Sequence, residues 1–266
     1  MTVFGSLLAC IGSPQALECA GIFVDAGGNK GDTLQSWYND ESCSTSPHKL
    51  LPKGTPCAWQ WPWWLPLRYR RQWCADVFEA NPEFSSRLVH LGERLQDRFR
   101  RKIYIHARTA FSTNNGSAIF GIDTGRGTGS SLVLERRALD LEGRKGLGPR
   151  VGDNAVLVST VDATAYLGFL GKRGVPIALK LDVEGSEYEI LRDVVMTGVL
   201  CRYVGTLWVE FHSIPEDASS GIPSRAGDVF KWMLESHNAS NLRHQIQKAW
   251  LPYGGERCVT TLLPWA

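Results

Sequence analysis

The chain has 266 residues, of which 43% are hydrophobic and 21% charged. That length buries a full core as one large α/β domain, and the composition is that of a globular protein rather than a disordered one. The formal net charge of +2 gathers into no strongly basic stripe, so no nucleic-acid partner is expected; the densest basic patches, 68–71 and 98–102, read as solvated faces or helix ends.

Residues 1–16 hold a short apolar centre with no Lys or Arg before it. They match a signal peptide poorly and are expected to pack as a soluble segment ahead of the first strand. No apolar run approaches the ~18 residues of a membrane span. In residues 21–32, GIFVDAGGNKGD, the run Ile22, Phe23, Val24 reads as a buried strand closing on Asp25. Gly27, Gly28 and Gly31 then turn the chain into a helix over 33–38, which lets backbone N–H groups approach a ligand closely. Residues 39–72 break the pattern with Pro, Ser and Trp, and Trp59, Trp61, Trp63, Trp64 and Trp73 crowd around the prolines. A connection of this length is a lid, a binding loop or a small extra core packed on its own domain.

Residues 73–78 read as the second strand, ending at Glu79. Pro82 opens an amphipathic helix with Phe84, Leu88, Leu91, Leu95 and Phe99 at helical spacing. A third strand covers 102–107. Short strands at 117–122 and 131–135 flank a glycine-rich loop, and 136–155 is a charged surface loop. After a strand at 156–161, Asp162 caps a helix running through Leu170. Residues 175–181 are nearly continuous in apolar character, as in a strand buried on both faces, and lead into the acidic block DVEGSE. A helix with Ile190, Leu191, Val194 and Val195 on one face follows. A strand at 203–211, a helix near 226–236 and late strands near 243–250 and 257–263 complete a doubly wound pattern.

Two buried strands ending in carboxylates place a polar site at the carboxyl edge of an open sheet. A nicotinamide dinucleotide fits it poorly. The fingerprint Ala26-x-Gly28-x-x-Gly31 is degenerate, its ribose acid would be Glu79 only after a long insertion, and Asp25 would crowd a pyrophosphate. Hydrolysis by a serine triad has no G-x-S-x-G elbow to support it. The seven cysteines (Cys10, Cys19, Cys43, Cys57, Cys74, Cys201, Cys258) show no CxxC spacing. Their odd number favours reduced thiols and a cytoplasmic setting, while the sequons Asn115-Gly116-Ser117 and Asn238-Ala239-Ser240 leave the secretory lumen open.

Four blocks, VDAGGNKGDT (24–33), FEANP (78–82), LKLDVEGSEYEIL (179–191) and WVEFH (208–212), resemble the FkbM family of S-adenosylmethionine-dependent methyltransferases in order and spacing. The resemblance implies a class I methyltransferase fold: a single Rossmann-like α/β domain over 1–266 with a doubly wound seven-stranded sheet. That sheet would be mostly parallel, with one antiparallel strand in the C-terminal pair around Pro252-Tyr253-Gly254-Gly255. It implies S-adenosylmethionine as cofactor. Asp25, Gly27, Asn29 and Gly31 would hold its methionine end, Glu79 its ribose diol, and Thr109 and Ala110 its adenine; Asp32, Ala80 and Asp182 complete the cofactor set. Asp182 would face the transferred methyl, and Glu184 and Glu210 would stand beside it. Glu184 and Glu187 could instead complement a helix dipole. His212, two residues beyond Glu210, is the candidate general base or else a hydrogen-bonding strand end. A divalent metal on Asp182, Glu210 and His212 ranks second, and none is required. The acceptor implied is a hydroxyl on a sugar, glycan or small natural product. A silent scaffold using the Trp-rich insertion as its partner surface is the competing reading.

Overall fold

The computed structural model describes residues 19–38, 66–122, 131–132, 155–210 and 261–264. Its first strand, β1 (Ile22–Ala26), is buried throughout. Helix α1 (Asp32–Tyr38) follows the glycine turn, and the short α2 (Leu67–Arg70) brings the chain to β2 (Cys74–Glu79). Helix α3 (Pro82–Phe99) leads to β3 (Ile103–Ala107). The chain then builds β4 (Thr109–Ser112), β5 (Gly116–Gly121), β6 (Ser131–Leu132) and β7 (Ala155–Asp162). Helix α4 (Ala163–Gly171), β8 (Ile177–Leu181), α5 (Glu187–Met196), α6 (Val199–Tyr203), β9 (Val204–Val209) and β10 (Thr261–Pro264) complete the described elements.

The principal sheet has the order β10-β9-β8-β1-β2-β3, with every pairing parallel. From β1 the chain steps outward through β2 and β3, then returns to the other side of β1 as β8 and β9. The reversal falls between β1 and β8, and crevices for ligands open at the carboxyl ends of strands at such a switch point. The expected seventh and antiparallel strands are not among the described residues: β10, which overlaps the last expected strand, runs parallel to β9.

Side chains alternate across the sheet and so feed two cores. Ile22, Val24 and Ala26 of β1 join Leu179 and Leu181 in a core under α4, α5 and α6. Phe23 points the other way, with Ala75, Val77, Ala178 and Trp208, beneath α1 and α3. There Phe23 stacks on Trp37 with centroids 4.1 Å apart, and Trp208 meets Trp37 edge-on.

The helix ends follow capping chemistry. Pro82 opens α3 and Asp162 Oδ1 accepts from Ala165 N at 2.9 Å, both as the sequence predicts, and Asn81 Oδ1, ahead of Pro82, caps α3 by accepting from Glu83 N at 3.0 Å. The carboxyl end of α1 is closed from a distance. Arg70, almost wholly buried, donates from Nη1 to the carbonyls of Ser36 (3.0 Å) and Trp37 (2.8 Å). One member of the 68–71 basic patch is thus a buried cap rather than a solvated charge. The expected strand at 203–211 begins later, because Leu200 and Cys201 bury as the short α6 before Val204 turns extended.

A second sheet, β4-β7-β5-β6, forms where only short strands and loops are expected. Arg108, in the left-handed region at φ 54°, breaks the chain between β3 and β4. The break lets β4 leave the main sheet and pair with β7.

Cys19, just before β1, and Cys74, opening β2, form a disulfide with Cα atoms 5.5 Å apart, inside the usual range for a bridge. Cys201 is disulfide-bonded as well. This corrects the expectation of reduced thiols. Parallel pairing of β1 with β2 brings together two cysteines 55 residues apart.

Candidate active site

A cleft with about 530 Å³ of empty space opens at the carboxyl ends of β1, β2 and β8, beside the start of β4. Gly27, Asn29, Glu79, Ala80, Thr109, Ala110, Asp182 and Glu184 line it, all of them sequence-predicted site residues. Phe78, Asn81, Phe84, Phe111, Phe120 and Val183 complete the wall.

The glycine loop is fixed by the strand beside it. The N–H groups of Gly27 and Gly28 both donate to the carbonyl of Phe78 at 3.0 Å, and Gly31 N donates to Gly28 O at 2.8 Å. Gly27 sits at φ 89°, and a Cβ there would run into the backbone carbonyl of Asp182. Only glycine serves at that position. Gly31, at φ 86°, serves packing: its missing Cβ makes room for Leu91 of α3. Gly31 and Asp32 do not line the cleft. Asp32 is about half exposed, with Arg87 3.7 Å away.

Glu79 joins the two halves of the floor. Its Oε2 accepts from Asn29 N and its Oε1 from Asn81 N, each at 2.6 Å. Asn29 reaches it by adopting φ 46°. Burial pushes the Glu79 carboxyl above its ordinary range, and the two backbone N–H groups pull it back. The carboxylate is therefore held in one orientation at the cavity wall, with lone pairs remaining for a ligand. Asn81, 1% exposed, keeps a buried Nδ2 with no hydrogen-bond partner beside the same wall.

The other side of the cleft rests on Lys180, which the sequence reading passed over. It lies beside Asp25 in the β1–β8 register and is 2% exposed. Its Nζ is 2.9 Å from Asp182 Oδ2, 3.3 Å from Asp25 Oδ1 and 2.7 Å from the Gly27 carbonyl. Burial alone would lower its pKa, but Asp25 and Asp182 outweigh that and hold it above the ordinary lysine range. Asp25 lies sealed in the interior and does not line the cleft. Burial pushes its carboxyl up to about 6; Lys180 opposes the rise and Asp182 adds to it. The fully buried Asp25 thus acts as an internal counter-ion, while Asp182, with a side chain 19% exposed, lies at the wall. A charged residue in a run otherwise apolar was the available signal, since lysine is almost never fully buried unless paired.

The acidic block divides its labour. Glu184 takes φ 57° and Gly185 φ 107°, making a tight turn after β8. Glu187 is fully buried and closes that turn, accepting from Val183 N and Gly185 N at 2.8 Å. Glu184 and Glu187 therefore share no face: one lines the cleft and the other holds its rim. Glu210 is partly buried outside the cleft lining, its N–H donating to the Leu181 carbonyl at 3.0 Å, which sets the end of β9 beside β8. His212 and most of the Trp-rich insertion lie outside the described residues. Among the described residues no group of three His, Cys, Asp or Glu side chains is placed to hold a metal, and no helix is long and apolar enough to cross a membrane.

A parallel sheet that reverses at β1, with a glycine loop and carboxylates around the reversal, defines a Rossmann-like fold of the methyltransferase kind. A family model described as the methyltransferase FkbM domain matches residues 25–240, and the chain belongs to the FkbM methyltransferase family. No curated protein and no solved structure matches it.

Proposed function

We propose that the chain transfers a methyl group from S-adenosylmethionine to a hydroxyl oxygen of a sugar, glycan or small natural product. The observation that carries this reading is Glu79: a buried carboxylate fixed by two backbone N–H groups at the end of β2, facing a cleft that also takes in Gly27 and Asp182. The cleft fits the cofactor on its charge. Glu79, Asp182 and Glu184 line it, and among the described residues no Lys or Arg does. A cationic ligand is favoured there, and the pyrophosphate of a dinucleotide is repelled.

Glu79 would accept the ribose hydroxyls, Gly27 and Asn29 would admit the methionine end, and Thr109, Ala110 and Phe111 would border the base. S-adenosylmethionine supplies an electrophilic methyl on a sulfonium. Asp182, steadied by Lys180, presents negative charge to that cationic centre. His212 would take the proton that the acceptor hydroxyl loses as its oxygen gains the methyl. Glu210 N, anchored on Leu181 O, ends β9 two residues earlier in the sequence.

Calorimetry with S-adenosylmethionine, S-adenosylhomocysteine and NAD tests the cofactor, and binding of NAD alone would defeat the proposal. Labelled S-adenosylmethionine offered with sugars, phenols, amines and peptides tests the acceptor. Label found on nitrogen rather than oxygen would overturn the hydroxyl assignment.

A further inference from the structure

We infer that Asn115 carries an N-linked glycan and that the protein matures in an oxidising compartment. Two independent observations meet here. The first is the Cys19–Cys74 disulfide; with Cys201 also bonded, all three cysteines among the described residues are oxidised. Such bridges persist in secretory compartments and are rare where glutathione keeps thiols reduced.

The second is the setting of the sequon Asn115-Gly116-Ser117. Its Asn115 lies in the turn after β4 and its Gly116 and Ser117 open β5, and Asn114, Asn115, Gly116 and Ser117 are all exposed. The Asn115 amide is divided in a way that suits the modification. Its Oδ1 accepts the Asp162 backbone N–H at 2.9 Å. Because a backbone N–H requires an acceptor, that bond also settles which end of the amide faces inward. Nδ2, the atom that would carry the sugar, is left unengaged and turned away. Glycosylation removes one Nδ2 hydrogen and leaves Oδ1 an acceptor, so the bond to Asp162 survives. The neighbouring Asn114 also accepts through Oδ1, from Thr160 Oγ1 at 3.3 Å, but Asn114-Asn115-Gly116 is not a sequon, so the sequence alone separates the two. The glycan would also stand clear of the cleft. Phe111 and Phe120 of β4 and β5 line the cleft, whereas Asn115 sits at the turn between these strands.

The chemistry balances with two co-reactants. Asn115 Nδ2 forms a bond to the anomeric carbon of a lipid-diphosphate oligosaccharide. The carbon–oxygen bond to the diphosphate breaks, and the lipid diphosphate leaves as the amide proton is lost. Cys19 and Cys74 together give up two electrons and two protons to a protein disulfide, which is reduced to its dithiol.

The test uses the protein isolated from its own cells, alkylated without reduction and digested. Release of the glycan by peptide N-glycosidase in ¹⁸O water should convert Asn115 to ¹⁸O-labelled Asp well beyond the spontaneous deamidation of Asn115-Gly116 in a digest without that enzyme, with the peptides holding Cys19 and Cys74 still joined. An Asn115 found only unmodified, or alkylated Cys19 and Cys74, overturns the inference. In cells, Ser117→Ala, which keeps Asn115 and its bond to Asp162, should abolish the glycan, and Ser117→Thr should retain it. A glycan at Asn115 that persists in Ser117→Ala also overturns it.

Discussion

Replacing Lys180 by Met removes one charge at nearly constant volume and strands Asp25 in the interior. The cost follows by two routes. Removing one member of a buried ion pair typically destabilises by about 3–5 kcal/mol. Alternatively, Asp25, already raised to about 6 with Lys180 beside it, would move to roughly 7–9 without it and fold protonated. Neutralising an aspartate at pH 7 against an ordinary value near 3.9 costs about 4 kcal/mol, of which the wild type, at about 6, already bears about 3, so this route alone gives a loss of about 1 kcal/mol. The two routes bracket the loss between about 1 and 5 kcal/mol, against a total stability of about 5–15 kcal/mol.

Its pH dependence has a definite sign. A carboxyl whose folded-state pKa is raised binds more protons folded than unfolded over the interval between the two values. Its stabilising contribution is therefore complete below the unfolded pKa and lost as pH rises through the folded one. The variant's interval is wider than the wild type's, so the stability gap between them should narrow by about 2 kcal/mol as pH falls from 8 to 5. Urea unfolding of both proteins across that range measures it. Asp25→Asn with Lys180→Met should recover most of the loss, because no buried charge then lacks a partner. A Lys180→Met loss below about 1 kcal/mol, or a gap indifferent to pH, would refute the account of Lys180 as the ion holding two carboxylates.

Glu79→Gln leaves one of the two backbone N–H groups without a carboxylate acceptor and should weaken S-adenosylmethionine binding by about 1.5–3 kcal/mol, read by calorimetry. Asn81→Asp keeps the cap on Glu83 N but replaces the unpartnered amide donor by a buried carboxylate oxygen beside Glu79, so thermal stability and cofactor affinity should both fall, and affinity unchanged in calorimetry would separate Asn81 from the ligand. His212→Ala should lower turnover about 10²–10⁴-fold with cofactor affinity unaltered, checked by initial rates beside calorimetry. Breaking the Cys19–Cys74 bridge by Cys74→Ser frees a 55-residue loop and should cost about 4 kcal/mol in urea unfolding on the chain-entropy model.

The sheet was legible because its signals are local. Apolar runs ending in acids marked β1, β2 and β8, and side-chain alternation then fixed which face each residue serves. Pro82 and Asp162 placed two helix starts correctly for the same reason, since a first-turn proline and a cap both act within the next three residues. The small sheet was not legible: it depends on Arg108 taking a left-handed conformation, which arginine does not advertise. Nor was the disulfide, because seven cysteines permit many pairings and the pairing of β1 with β2, not any spacing, selects Cys19 with Cys74. Arg70 reads as one more surface charge until α2 carries it under the end of α1.

The site shows where residue type stops short of role. Asp25 and Asp182 end neighbouring strands and read alike, as carboxylates offered to a ligand. Their difference comes from Lys180, placed by register beside Asp25 and near enough to touch both. One lysine against two carboxylates leaves a net charge of −1, and only Asp182 of the pair reaches the cleft wall. An ammonium or sulfonium centre about 4 Å from that excess would gain up to about 4 kcal/mol at an effective dielectric of 20. A diphosphate at the same place would lose as much. A preference for a cationic ligand at this wall would therefore follow from an unequal count of charges among the described residues, with Glu79 and Glu184 adding to the same sign across the cleft.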